Sequence, residues 1–153
     1  MKKAIIYSSQ NCPYCVKAKN LLNKKGVKYA YLDGATKSRK EQVEFFQNND
    51  EIQLFLISLK AGGVGLNLTA ADYVIHMDPW WNPAVEDQAS DRAHRIGQQR
   101  PVTIYRLVTE NTIEEKIVEM QNRKKGIVKK VVSCDDEAIT KLTWEDVLDL
   151  LQT

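Results

Sequence analysis

Five short apolar runs rich in β-branched and aromatic residues alternate along this chain with segments of helical spacing, and that alternation narrows the fold more than any other feature. The runs are Ala4 to Tyr7, Tyr29 to Leu32, Leu54 to Leu59, Tyr73 to Met77 and Val102 to Val108. Each is long enough for a buried strand and too short for a helix of ordinary length. Helical spacing is predicted for Val16 to Lys25, Lys37 to Asn48 and Pro83 to Ile96, the last opening on a proline suited to a first helical turn. Strand, helix, strand repeats demand a mainly parallel sheet of about five strands flanked by helices, an α/β class.

One connection breaks the alternation. Leu59 to Asp72 is short and glycine-rich, with Gly62, Gly63 and Gly65 permitting backbone conformations that a side chain forbids. Ligands of open parallel sheets bind outside the carboxyl ends of strands, and this connection leaves such an end. After the fifth strand, Thr112 to Lys125 is predicted as a charged amphipathic helix opened by Thr112 and Glu115 in capping-box spacing. Residues 126–140 are predicted as a linker. Thr143 then caps a short tail helix whose Trp144, Val147, Leu148 and Leu151 share one face.

With 153 residues the chain has the size of one domain, able to bury about two thirds of its unfolded surface. Its 43% hydrophobic and 27% charged residues sit near the globular average. No apolar run approaches the roughly 20 residues of a membrane span, and the Met-Lys-Lys start leads into no signal-peptide core, so no membrane partner is expected. Three cysteines make no disulfide framework, which favours a reducing cytoplasm. From Asp135 onward six acidic residues stand against Lys141 alone, so the positive excess lies in residues 1–134. A basic body suits a polyanionic partner or merely a solvated mixed surface.

The segment Gln88 to Gln98, QASDRAHRIGQ, lies on the helix predicted from Pro83 to Ile96 and places Arg92 and Arg95 three residues apart, on one helix face. Two planar, permanently charged forks can then converge on one phosphate. Pairing with Asp91, Glu86 or Asp87 is the structural alternative. Of Trp80 and Trp81, the first is expected toward a ligand and the second in the core. His76 and His94 lack metal-ligand spacing, and no metal site is expected.

Taken in order, LDGAT (Leu32 to Thr36), SLKAGGVGLNLTAAD (Ser58 to Asp72), DPWWNP (Asp78 to Pro83) and QASDRAHRIGQ closely resemble the C-terminal, RecA-like helicase lobe of SNF2-family DNA translocases. The resemblance runs from about Lys28 to about Lys125. It implies a RecA-like lobe over residues 1–125, with Arg92 and Arg95 as arginine fingers reaching ATP held by the opposite lobe. It further implies that Gly63 and Gly65 line the interlobe cleft near nucleotide, and that Ser58, Lys60 and Trp80 lie beside double-stranded DNA. Glycines that admit a backbone phosphate, a lysine and an indole stacking surface are chemically consistent with those roles.

No G-x-x-x-x-G-K-S/T segment occurs in the chain, so it holds no backbone cradle for the β- and γ-phosphates. ATP and Mg²⁺ are therefore expected only together with a P-loop-containing first lobe, and the chain alone is expected to be inactive and to bind DNA weakly.

The first β-α segment, residues 3–27, resembles the opening of a glutaredoxin through its C-P-Y-C pair. That resemblance would make Cys12 a nucleophilic thiol at a helix N-terminus and Cys15 its resolving thiol, with glutathione as partner. The remaining glutaredoxin signatures are missing, so the expectation is a hybrid β-α unit in a helicase-like body, or a chimeric folding module without catalysis.

Overall fold

The computed structural model describes residues 2–8, 13–61 and 65–132. Cys12, Gly63 and the tail helix expected at Trp144 to Leu151 lie outside them. Within them the elements are β1 (Ala4–Ser8), α1 (Pro13–Lys24), β2 (Tyr29–Leu32), α2 (Arg39–Asn48), β3 (Leu54–Ser58), β4 (Tyr73–His76), α3 (Pro83–Ser90), β5 (Thr103–Arg106) and α4 (Ile113–Val132).

All five strands join one parallel sheet in the order β2-β3-β1-β4-β5. β1 is the central strand, pairing Ala4 to Ser8 with Leu54 to Ser58 on one side and Ala4 to Tyr7 with Tyr73 to His76 on the other. The chain leaves β1 toward the β2 edge and leaves β4 toward the β5 edge. Because such crossovers are right-handed, the two departures put their helices on opposite faces. Lys19 of α1 accordingly lies over the Tyr31 ring on one face, while α3 receives the Tyr7 hydroxyl on the other. The carboxyl ends of β1 and β4 therefore flank a topological switch point, the place where such sheets accept ligands.

The face toward α2 and α3 is dry. Ile5, Tyr7, Ala30, Leu32, Phe55, Ile57, Val74 and His76 alternate onto it and are buried with Phe46 of α2 and Ala89 of α3. The opposite face, under α1, is only half-buried at Ile6, Tyr29, Tyr31 and Ile75. β5 is exposed at all four residues.

Local chemistry sets the element ends. Gly26, at a φ of 67°, closes α1: its N–H bonds the Asn23 carbonyl at 3.1 Å and the Val27 N–H bonds that of Leu22 at 3.0 Å, a glycine-terminated helix end that satisfies orphan carbonyls. Lys3 does the same for α2 from a distance in sequence. Its buried Nζ donates to the carbonyls of Phe46 at 2.6 Å and Asn49 at 2.9 Å, where the helix dipole favours a cation.

Two expectations change. The helix expected over Pro83 to Ile96 stops at Ser90, and 91–97 form turns. The carbonyls a longer helix would use are taken elsewhere: Arg92 C=O accepts from Leu68 N–H at 2.9 Å and Ala93 C=O from the Gln98 amide at 3.1 Å. The last helix conversely continues past the expected end at Lys125, through Gly126 to Val132, with Ile127 buried. Its start is a variant of the expected box: Thr112 Oγ1 accepts from Glu114 N–H at 3.2 Å, and Glu115 reaches back to Asn111 N–H at 3.0 Å.

Lys3→Met keeps the aliphatic stem and deletes the bonds to the carbonyls of Phe46, Gln47 and Asn49. It is expected to lower unfolding free energy by about 1–3 kcal/mol, the cost of leaving buried acceptors unmet, measurable by urea denaturation.

Candidate nucleotide and nucleic-acid interface

Four sequence segments converge around the carboxyl ends of the strands and the α2–α3 face. LDGAT forms a side-chain-locked turn after β2. Asp33 Oδ1 accepts from Thr36 Oγ1 at 2.9 Å and from Ala35 N–H at 3.0 Å, and Asp33 Oδ2 accepts from the Tyr31 hydroxyl at 3.1 Å. Thr36 above all holds the Asp33 carboxyl below the usual carboxylate range. An aspartate bonding the backbone two residues on is the ordinary means of fixing such a turn.

The glycine-rich connection leaves β3 at Ser58. The Ser58 hydroxyl is buried and accepts from Ala61 N–H at 3.3 Å, so it shapes the turn, while Lys60 is exposed. Gly65, exposed at a φ of 49°, occupies left-handed backbone that disfavours any side chain. The connection then crosses the sheet between α2 and α3. The Gln47 side chain holds it from α2, donating to Asn67 C=O at 3.2 Å and accepting from Ala70 N–H at 2.8 Å, and Leu68 is buried in the core.

QASDRAHRIGQ is fastened along that connection. Besides the Leu68 bond to Arg92, Arg95 donates to Leu66 C=O at 3.4 Å, and the Gln98 amide donates to the carbonyls of Thr69 at 3.0 Å and Ala71 at 2.8 Å. Arg100 continues the seam with a 2.6 Å bond to Ala70 C=O. Arg92 is half-buried near Tyr7; burial raises the Tyr7 phenol and the Arg92 charge opposes it. Arg95 is exposed beside the glycine loop. The two arginines thus project from turns, and their shared setting comes from the seam, not from one helix face.

DPWWNP follows β4. Trp81, expected in the core, is 41% exposed with Lys124 Nζ 5.7 Å from its ring centre, whereas Trp80 is half-buried. Trp81 thus stands outside the core, directly before Asn82, whose side chain caps α3 through Ala84 N–H at 3.0 Å. Burial, with Glu114 and Glu86 nearby, raises the Asp78 carboxyl.

Below this loop lies a network that motif reading alone does not reveal. Glu86 is 0% exposed; its Oε1 accepts from Trp80 N–H at 2.5 Å and the Gln121 amide at 2.9 Å, and its Oε2 accepts from Arg106 Nε at 2.9 Å. Gln121 also donates to Trp80 C=O. A signal for Gln121 does exist, since it is a polar residue set into the inward-spaced series Ile117, Met120 and Ile127. Neighbouring His76 stacks on Tyr7 at 5.3 Å and meets Ser90 Oγ at 3.0 Å. Because the Ser90 hydroxyl donates to Glu86 C=O at 3.0 Å, the imidazole Nε2 carries the proton. Among the described residues, no group of three or more His, Cys, Asp or Glu could hold a metal ion.

Comparison with known proteins identifies the architecture. The helicase conserved C-terminal domain matches residues 1–97. The chain belongs to that family. This helicase C-terminal domain is 46% identical over 136 residues to an ATP-dependent helicase of Mycoplasma pneumoniae, covering 88% of the chain and 13% of the relative. It is 48% identical over 128 residues to the ATP-dependent helicase rhp16 of Schizosaccharomyces pombe, covering 82% and 15%. It is 46% identical over 125 residues to the human chromatin-remodeling ATPase INO80, covering 80% and 8%. The crystal structure of the C-terminal part of the Fun30 ATPase domain superposes with a TM-score of 0.72 at 38% identity, covering 77% of this chain and 38% of that one. The chain thus spans a small fraction of these curated relatives. The remodelling ATPases and Fun30 agree with an SNF2 C-terminal lobe and a RecA-like fold.

The glutaredoxin-like expectation for residues 3–27 finds no support. The helicase match begins at residue 1, β1 is the central strand of the helicase sheet, and Cys15 is buried. An apolar strand running into a helix is common to both folds, which is why the segment resembles either.

Burial foremost lowers the His76 pKa below its ordinary 6.5, with Glu86 opposing. The unfolded chain then takes up the proton first, so stability falls as pH drops below about 6.5 and levels below the folded pKa. Thermal unfolding between pH 7.5 and 5 should show this slope. In His76→Gln it should be flatter.

Proposed function

We propose that this helicase domain is the C-terminal lobe of an SNF2-type DNA-dependent ATPase, supplying Arg92 and Arg95 to ATP held by a P-loop-containing first lobe. The observation that carries the reading is the seam, in which Arg95 is bonded to the loop beside Gly65 and Arg92 to the same connection at Leu68. Guanidinium groups at the edge of a glycine-rich loop can meet a phosphate that approaches from a facing surface. Their role would be to neutralise charge developing on the transferred γ-phosphoryl group.

The residues of this chain fit that donor role and not the phosphate cradle of the ATP site. The 153 residues contain no P-loop. Mg²⁺ and the β- and γ-phosphates accordingly belong with the facing lobe, and hydrolysis requires both. Gly63 and Gly65 would allow the backbone close to nucleotide. Exposed Lys60 and the Trp80–Trp81 pair would meet the backbone of double-stranded DNA, with Ser58 shaping the turn between them. The ATP-dependent helicase and chromatin-remodelling names of the relatives support this substrate class.

Joining the chain to the first lobe of a relative should restore DNA-stimulated ATP hydrolysis. Arg95→Ala and Arg92→Ala are each expected to lower that rate by about 10³-fold or more with the circular-dichroism spectrum preserved. Unchanged hydrolysis in both variants would sink the finger assignment.

A further inference from the structure

Trp80 is held by its backbone at both ends. Its N–H, which belongs to the peptide plane before its Cα, is bonded to Glu86 Oε1 at 2.5 Å. Its C=O, which belongs to the plane after, accepts from the Gln121 amide, and the same amide bonds Glu86 at 2.9 Å. With both planes fixed, φ and ψ of Trp80 are set, and the Cα–Cβ direction with them. Only the side-chain torsions remain to place the indole. The two holding residues are 0% and 3% exposed, so water offers no equal substitute partner.

The grip comes from one turn of α4. Gln121, Lys124 and Lys125 lie on one face at spacings of three and four. Lys124 lies over the Trp81 ring at 5.7 Å, and Lys125 pairs with Asp87 on α3 at 2.9 Å. Arg106 of β5 completes it from below, bonding Glu86 at 2.9 Å and Asp87 at 3.3 Å.

We propose that Gln121 and Glu86 are positioning residues for duplex binding: they fix the Trp80 backbone so that α4 sets the pose in which the Trp80–Trp81 pair meets DNA. This rests on the reading of Trp80 as a DNA contact. Neither residue touches the nucleic acid. The consequence is a route by which movement of α4 changes DNA affinity without altering any DNA-facing side chain.

The full 153-residue chain and its Gln121→Met variant, which keeps side-chain length and loses both donors, test this in two measurements. In amide hydrogen exchange, Trp80 N–H should exchange about tenfold faster in the variant while Phe55 and Val74 in the central strands stay protected. Uniform loss of protection, or an unchanged Trp80, overturns the proposal. In duplex-DNA titrations at low salt, Gln121→Met should weaken binding about tenfold, and adding Trp80→Ala should cause little further loss, because one pose is lost once. Losses that multiply overturn the positioning role. If Trp80→Ala alone leaves affinity unchanged, the DNA assignment of Trp80 fails, and with it the duplex role of the clamp. The exchange measurement then still decides whether Gln121 holds the loop.

Discussion

A single carboxylate, that of Glu86, organises the half of the domain that carries the chemistry. A fully buried charge is costly unless its oxygens are met with good geometry, and removing one partner of such a group costs far more than the pair contributes net. Here the partners come from the loop after β4, from β5 and from α4, while Glu86 itself sits on α3. Four separate pieces of chain are therefore referenced to one point. The requirement that the charge be satisfied specifies where each must lie.

The other half of the sheet is held differently. β2, β3 and α2 close on Phe46, Phe55, Ala30 and Ile57, with Lys3 as the main charged intrusion, and there the specification is mostly shape. The glycine-rich connection passes from one regime to the other. It leaves β3 in the apolar half, sinks Leu68 into the core, and is sewn by backbone carbonyls to the segment bearing Arg92 and Arg95. Placing Arg92 and Arg95 on that boundary lets their segment be fixed by backbone bonds.

Much of this was legible in the chain itself. Apolar runs of strand length with helical segments between them led directly to a parallel sheet, because period and length alone separate these elements. The ordered motifs pointed to the helicase lobe. What pattern could not supply were boundaries and partners decided by tertiary competition. The helix after Pro83 looked long because its residues tolerate helix, yet Arg92 and Ala93 give their carbonyls to partners far along the chain. Trp81 looked like core because indoles are apolar, yet it stands exposed where the chain enters the Asn82 cap. The C-P-Y-C pair drew a second resemblance because a strand feeding a helix looks alike in many folds, and the helicase match from residue 1 together with the place of β1 in the five-stranded sheet assigns the segment to the helicase domain. Glu86 looks like an ordinary surface residue of its helix until the elements are assembled, and Gln121 stands out only as a polar break in an apolar face.

β5 is the outer strand of the sheet and is exposed along its whole length, with Ile104 and Tyr105 both substantially open and Leu107 and Val108 beyond it. Such an edge presents a row of backbone donors and acceptors together with apolar side chains, which is the combination that recruits other strands. β5 is therefore the border at which this sheet could be extended by a further strand, while the opposite half is closed by its packed interior.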